Sequence, residues 1–233
     1  KVRATDLDND IQESNTQEAN NAPTGPITPQ VFNETLENYQ DIDDAINGGW
    51  SLITLAGDND WRIEGDGNTN STTSAFVSTD IDDVSDKSIV SKPFSPSASS
   101  VMSFFHKFVL EDGFDGGVLE ISIDEGATWT DLGGDITSGG YNDTLSGGFS
   151  QPLGSRPAWS GTQNAYGQVE VDLSPYAGEL VQVRWRMGTD SSVDAGDWKV
   201  DDISVTNAGS FGVCNFVDLI FENSFEEIPP PVL

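Results

Sequence analysis

The chain has 233 residues, and its 10 Lys and Arg stand against 39 Asp and Glu for a formal net charge of −29. That charge repels nucleic acid and anionic lipid, which excludes both as partners, and no apolar run approaches the ~20 residues a membrane-spanning helix needs. A hydrophobic share of 36% that includes six Trp still suffices for a core, so disorder throughout is excluded as well.

Residues 1–30 carry no aromatic side chain and few aliphatics, and they end in a stretch punctuated by Pro23, Pro26 and Pro29. Nothing there offsets the entropy of ordering the chain, which predicts an extended N-terminal arm. With Lys1 at its start and no signal peptide in view, the chain reads as a mature or excised product. From Val31 the pattern becomes strand after strand. Residues 50–55 and 61–64 flank a turn at 57–60, and 75–79 and 88–94 follow. Residues 101–110 are apolar on both alternations: Met102, Phe104, Phe108 and Leu110 on one, Val101, Phe105 and Val109 on the other. That pattern predicts a central strand covered on both faces. Leu119, Ile121 and Ile123 alternate with Glu120, Ser122 and Asp124, and Val183, Trp185 and Met187 alternate with Gln182, Arg184 and Arg186. Both read as half-buried strands. Between Gly133 and Gly167 lies a Gly-, Ser- and Asn-rich stretch with Tyr141, Phe149, Trp159 and Tyr166, which reads as a long insertion of the kind that is functional or mobile. Only residues 38–46 have room for a short helical turn. Residues 213–221 form one more apolar segment ahead of Pro229, Pro230 and Pro231, a strand-like tail.

Three phrases stand out: Ser103-Phe104-Phe105-His106-Lys107-Phe108, the strand at 117–123 running into Asp124-Glu125-Gly126-Ala127-Thr128-Trp129, and Trp198-Lys199-Val200-Asp201-Asp202-Ile203. Together they resemble the jelly-roll modules appended to secreted bacterial peptidases and surface proteins, the MAM-like and galactose-binding-like group. The resemblance implies an all-β fold: an antiparallel jelly-roll β-sandwich over 31–206, between the extended N-terminal arm, 1–30, and the C-terminal strand-like tail, 207–233. It implies a secreted or cell-surface location and a module that binds, docks or assembles rather than catalyses. It also implies a structural calcium joining an acid of the first strand, Glu34, to an acid of the last, Asp201 or Asp202.

The residues themselves argue against catalysis. His106 is the only histidine, so a Ser-His-Asp or Cys-His system has to use it. It alternates with Phe104 and Phe108, a core position, and reads as a structural histidine. No nucleophile elbow, His-Glu-x-x-His or phosphate loop occurs, one His and one Cys cannot make a zinc site, and nothing in the spacing singles out two carboxylates for glycoside hydrolysis. The expectation is a protein that is not an enzyme.

Calcium is the better chemical match, because it takes 6–8 oxygens that acid-rich loops supply. Four places fit: Glu34, the Asp58-Asn59-Asp60 turn, the loop with Glu111, Asp112 and Asp115, and Asp201-Asp202. Glu34, Asp112, Asp115, Asp201 and Asp202 are the expected ligands. The competing reading has Asp112 and Asp115 only shaping a turn, and Asp201-Asp202 hydrogen-bonding a neighbouring loop. Tyr141, Trp159 and Tyr166, with Asn142, Gln163 and Asn164, offer platforms and amides for a carbohydrate, unless they fold back as a satellite core under their own loop. Arg184 and Arg186 are expected to pair with acids. Cys214 is either a bridge to a second chain or a small buried hydrophobe.

Two functional classes follow. One is a structural or adhesive extracellular module that self-associates or engages another extracellular protein, extending to a fibre subunit joined through its arm or tail. The other is an accessory domain of a secreted hydrolase, such as a metallopeptidase, that docks polysaccharide or protein.

Overall fold

A computed structural model describes residues 32–65, 69–71 and 74–208, together with the backbone of 4–5 and 11–12. Within the arm, β1 (Ala4–Thr5) and β2 (Ile11–Gln12) pair antiparallel. The sandwich opens with β3 (Phe32–Glu34), then the short helix α1 (Ile42–Asn47), whose first turn is capped by the Asp41 carboxylate accepting from the Asp44 amide at 3.0 Å. Next come β4 (Ser51–Ala56), β5 (Arg62–Glu64), β6 (Ala75–Thr79), β7 (Ser85–Val90), β8 (Val101–Val109) and β9 (Gly116–Ser122). Four short strands follow: β10 (Thr130–Asp131), β11 (Ile136–Ser138), β12 (Asp143–Thr144) and β13 (Pro157–Ala158). The long strands β14 (Thr162–Asp172), β15 (Gln182–Thr189) and β16 (Asp197–Val205) complete it.

Two sheets carry the fold. One runs β10-β9-β15-β7-β4; the other runs β11-β14-β8-β16-β6-β5, with β3 also on β16. Every pairing in them is antiparallel. The chain crosses repeatedly between the sheets, and their inner faces close on one core. Phe104 from one sheet meets Trp185 from the other edge-on, with ring centroids 5.5 Å apart. Gly117 on β9 makes room for Trp198 of the facing sheet: a Cβ there would sit 2.5 Å from the indole. The jelly-roll sandwich expected from the sequence is the fold observed, and no helix of the described residues is long and apolar enough to cross a membrane.

Two expectations change. β8 is central, but only Met102, Phe104, His106 and Phe108 are buried; the other face, with Val101 and Val109, is half open. The stretch 133–167 is not one loop, because β14 begins at Thr162 and pairs along β8 from Val109 to Val101. β11 joins the larger sheet, and the part carrying β12 and β13 packs on the outer face of the five-stranded sheet and buries Val118, Leu145, Leu153 and Ala158 as a second small core. Cys214 and the tail from 209 onward, and the arm apart from β1 and β2, lie outside the described residues.

Candidate functional site

A cleft of about 450 Å³ lies on the outer face of the larger sheet, where β8 ends and β16 begins. Strand alternation builds it. Trp198 and Val200 turn into the core, so Asp197 and Lys199 turn outward; Phe108 turns in, so Lys107 and Val109 turn out. β5 adds Glu64. On β14 the ladder slips: Gln163 faces Phe108 while Gly167 faces His106, so Asn164, Ala165 and Tyr166 stand where β8 has Lys107 alone. Such a bulge frees side chains from the regular pleat and re-aims them. Gly196 closes the wall, where a Cβ would come within 2.9 Å of the Val109 Cβ.

The cleft is polar and internally paired. Lys199 Nζ donates to Glu64 Oε2 at 2.9 Å, and Arg62 donates to Glu64 Oε1 at 2.6 Å and to Asp197 at 3.3 Å. Burial pushes the Glu64 carboxyl up, but hydrogen bonds from Lys199 and Arg62 outweigh it and hold the group below the usual carboxylate range. Gln163 Nε2 donates to the His106 carbonyl at 2.9 Å, and Lys107 Nζ sits 4.9 Å from the centre of the Tyr166 ring. Lys107, Lys199 and Arg62 thus gather in one place in a chain that has only 10 Lys and Arg.

The expected aromatic platforms divide. Trp159 is 2% exposed and cannot serve: its backbone pairs with Gly117, its indole donates to the Gly139 carbonyl at 2.9 Å, and its ring meets His106 edge-on at 4.8 Å. Tyr141 is fastened to β9, its hydroxyl donating to the Leu119 carbonyl and accepting from the Leu119 amide. Its ring packs against the second small core and lines only a shallow depression with Asp131 and Pro157. Tyr166 is half-buried and stands behind Lys107, which lines the cleft where Tyr166 does not. His106 is buried, its Nδ1 accepts from Trp198 Nε1, and burial lowers its pKa to about 3, so it is no general base.

The expected metal ligands divide too. Glu34 pairs with Lys92 and accepts from the Tyr39 hydroxyl at 3.0 Å. Asp201 accepts from the amides of Asn70 at 2.8 Å and Ser71 at 3.0 Å, and Asp202 accepts from Asn70 Nδ2 at 2.7 Å. Both therefore bind the neighbouring loop. Asp112 is exposed beside Gly161 and is not one of the acids that Asp115 meets. Asp115 is fully buried and meets Glu111 and Asp190, their ligand atoms all within 4.8 Å of one another. The sequence reading missed Asp190, and with it Asp80. Each directly follows the last residue of a strand, β15 and β6, at the end of the sandwich where the β8–β9 loop also emerges. Arg184 and Arg186 do pair with acids, Glu120 and Asp86, although beneath the packed insertion rather than in open solvent.

No protein-family model and no curated protein matches the chain. Among solved structures, a cleaved adhesin domain of Lys-gingipain superimposes with a TM-score of 0.50 at 19% identity, covering 77% of this chain and 99% of its own. Another cleaved adhesin domain of Lys-gingipain, from Porphyromonas gingivalis, gives 0.46 at 14% identity over 76% and 98%. A carbohydrate-binding module in complex with β-1,4-galactotriose gives 0.41 at 11% identity over 69% and 92%. The first of these likenesses establishes the shared β-sandwich fold.

Proposed function

We propose that this chain is a non-catalytic binding module of an extracellular protein, and that its cleft takes a segment of polysaccharide. The observation that carries the reading is the make-up of the cleft. Lys199, Glu64, Arg62 and Asp197 set donors and acceptors side by side, and the β14 bulge adds the Gln163 and Asn164 amides. Adjacent sugar hydroxyls need paired donors and acceptors of that kind. The lone histidine is buried and neutral, which fits binding better than catalysis. The adhesin domain with the same fold is in keeping with this. The fibre-subunit alternative would act through the arm and tail, which lie outside the described residues apart from β1 and β2.

The test is affinity electrophoresis through gels cast with galactan, mannan, β-glucan or a uronic-acid polymer. Retardation by at least one polymer, weakened several-fold in an Asn164→Ala protein of unchanged melting temperature, is the expected result. Migration unaffected by every polymer would sink the reading.

A further inference from the structure

At the end of the sandwich next to the cleft, four carboxyl groups come together from three loops. Asp80 follows β6, Glu111 and Asp115 lie between β8 and β9, and Asp190 follows β15. Asp80, Asp115 and Asp190 are each no more than 1% exposed. In three of the four groups one oxygen is already tied down. Asp80 Oδ2 accepts from the Glu111 amide at 2.9 Å, Asp115 Oδ1 from the Asp190 amide at 2.7 Å and from Gln151 Nε2 at 3.2 Å, and Asp190 Oδ1 from the Ser192 amide at 2.9 Å. The other oxygens, Asp80 Oδ1, Glu111 Oε2, Asp115 Oδ2 and Asp190 Oδ2, are buried and accept from no N–H or hydroxyl; Asp80 and Asp115 face only each other's carboxyl. Among the described residues no Lys or Arg forms an ion pair with any of the four; the neighbouring Lys87 is committed to Asp60 at 2.8 Å and to the Thr79 carbonyl at 2.7 Å.

Unpaired buried carboxylates are among the least favourable arrangements in a protein interior. Here each aspartate has one oxygen fixed by an amide while the other is left over. That is how outer partners orient metal ligands. We propose that Asp80, Glu111, Asp115 and Asp190 form a buried divalent-cation site of the calcium class. The donors are all carboxylate oxygen, which suits a hard cation and not zinc. The Glu111, Asp115 and Asp190 oxygens, all within 4.8 Å of one another, lie inside the span across a calcium ion with ligands at ~2.4 Å.

The bound cation would join the three loops that leave this end of the sandwich. The Asp80 amide also donates to the Gly196 carbonyl at 2.7 Å, which places the site directly behind one wall of the cleft. The inference stands apart from the polysaccharide reading, since cation binding is read without any glycan.

The experiment uses the full chain stripped with EGTA, titrated with calcium alone and magnesium alone by calorimetry and thermal melting. Saturable calcium binding is expected, with a melting temperature raised by roughly 5–10 °C at a hundred times the Kd. Glu111→Gln, at the partly exposed rim, is expected to weaken calcium at least tenfold while remaining folded, and Asp115→Asn with Asp190→Asn to abolish the response. Absence of saturable binding to the stripped wild type would overturn the proposal. So would a calcium response that survives at full size in folded Glu111→Gln and in the Asp115→Asn, Asp190→Asn protein.

Discussion

Trp198 donates its indole N–H to Nδ1 of His106 across 3.3 Å inside the core, a bond that exists only while that nitrogen is unprotonated. Burial lowers the His106 pKa from 6.5 to about 3. An unfolded chain therefore binds this proton below pH 6.5 while the folded one refuses it. The stabilisation is complete above 6.5 and is lost progressively as the pH falls towards 3. Between pH 6.5 and 5 the loss amounts to roughly 2 kcal/mol. Asp115, pushed up to about 9 by burial and the facing Asp80 carboxyl, acts in the opposite sense over the same range. The test is thus a difference: urea unfolding of wild type and His106→Asn at pH 7 and pH 5. The gap between the two proteins should shrink at pH 5 by about that amount. A gap independent of pH would mean that His106 titrates normally.

That histidine was legible because its neighbours were: Phe104 and Phe108 share its alternation, and the inner faces of β8, β15 and β16 repeat the same signal. β14 was not, since the slip between Gln163 and Gly167 interrupts the period of two and leaves a Gly- and amide-rich stretch that reads as loop. Asp115 was picked out from an acidic loop, but what makes it notable is distance in sequence. Asp190 lies 75 residues away, and Asp80 lies 31 residues from Glu111. No local pattern reports such a meeting. Trp159 illustrates the reverse: an aromatic in a Gly-rich stretch looks like a surface platform until the backbone pairing with Gly117 draws it into the core.

Glu120 gathers three arginines. Arg184 donates to Oε2 through Nε at 2.6 Å, and Arg156 and Arg186 reach Oε1 at 2.7 and 3.5 Å. Burial pushes its carboxyl up, but Arg184 and Arg156 outweigh that and hold it below the usual range. Its contribution is therefore full above the unfolded carboxylate value and lost as the pH falls below it, a window lower than that of His106. Glu120→Gln leaves Arg184, 5% exposed, without its anion. The expected cost is about 3 kcal/mol at pH 7, measured by chemical denaturation and shrinking at pH 3. A change under 1 kcal/mol would show the cluster to be solvated.

Gly117→Ala tests the close approach of the sheets. The added methyl would lie 2.5–2.8 Å from three ring carbons of Trp198, which is itself fully buried. Neither rigid backbone nor a packed indole gives way cheaply, so a loss of about 3 kcal/mol and a shifted near-UV circular dichroism band are expected. Gly178→Ala is the weaker control: no heavy atom lies within 4 Å of its Cβ, and its φ of 85° alone costs about 1 kcal/mol.

The cleft makes the last prediction. Asn164 is exposed on the β14 bulge, so Asn164→Ala should leave the melting temperature within about 1 °C of wild type. If the amide hydrogen-bonds a sugar hydroxyl, the same change should weaken polysaccharide binding about five- to tenfold, the size of one net hydrogen bond. Glu64→Gln probes the paired side of the cleft. It removes the anion that Lys199 and Arg62 share, so both affinity and stability should fall. A polysaccharide affinity left intact by Asn164→Ala and by Glu64→Gln would place the binding surface elsewhere on the sandwich. The shallow depression at Asp131, Tyr141 and Pro157 would then be the next face to mutate.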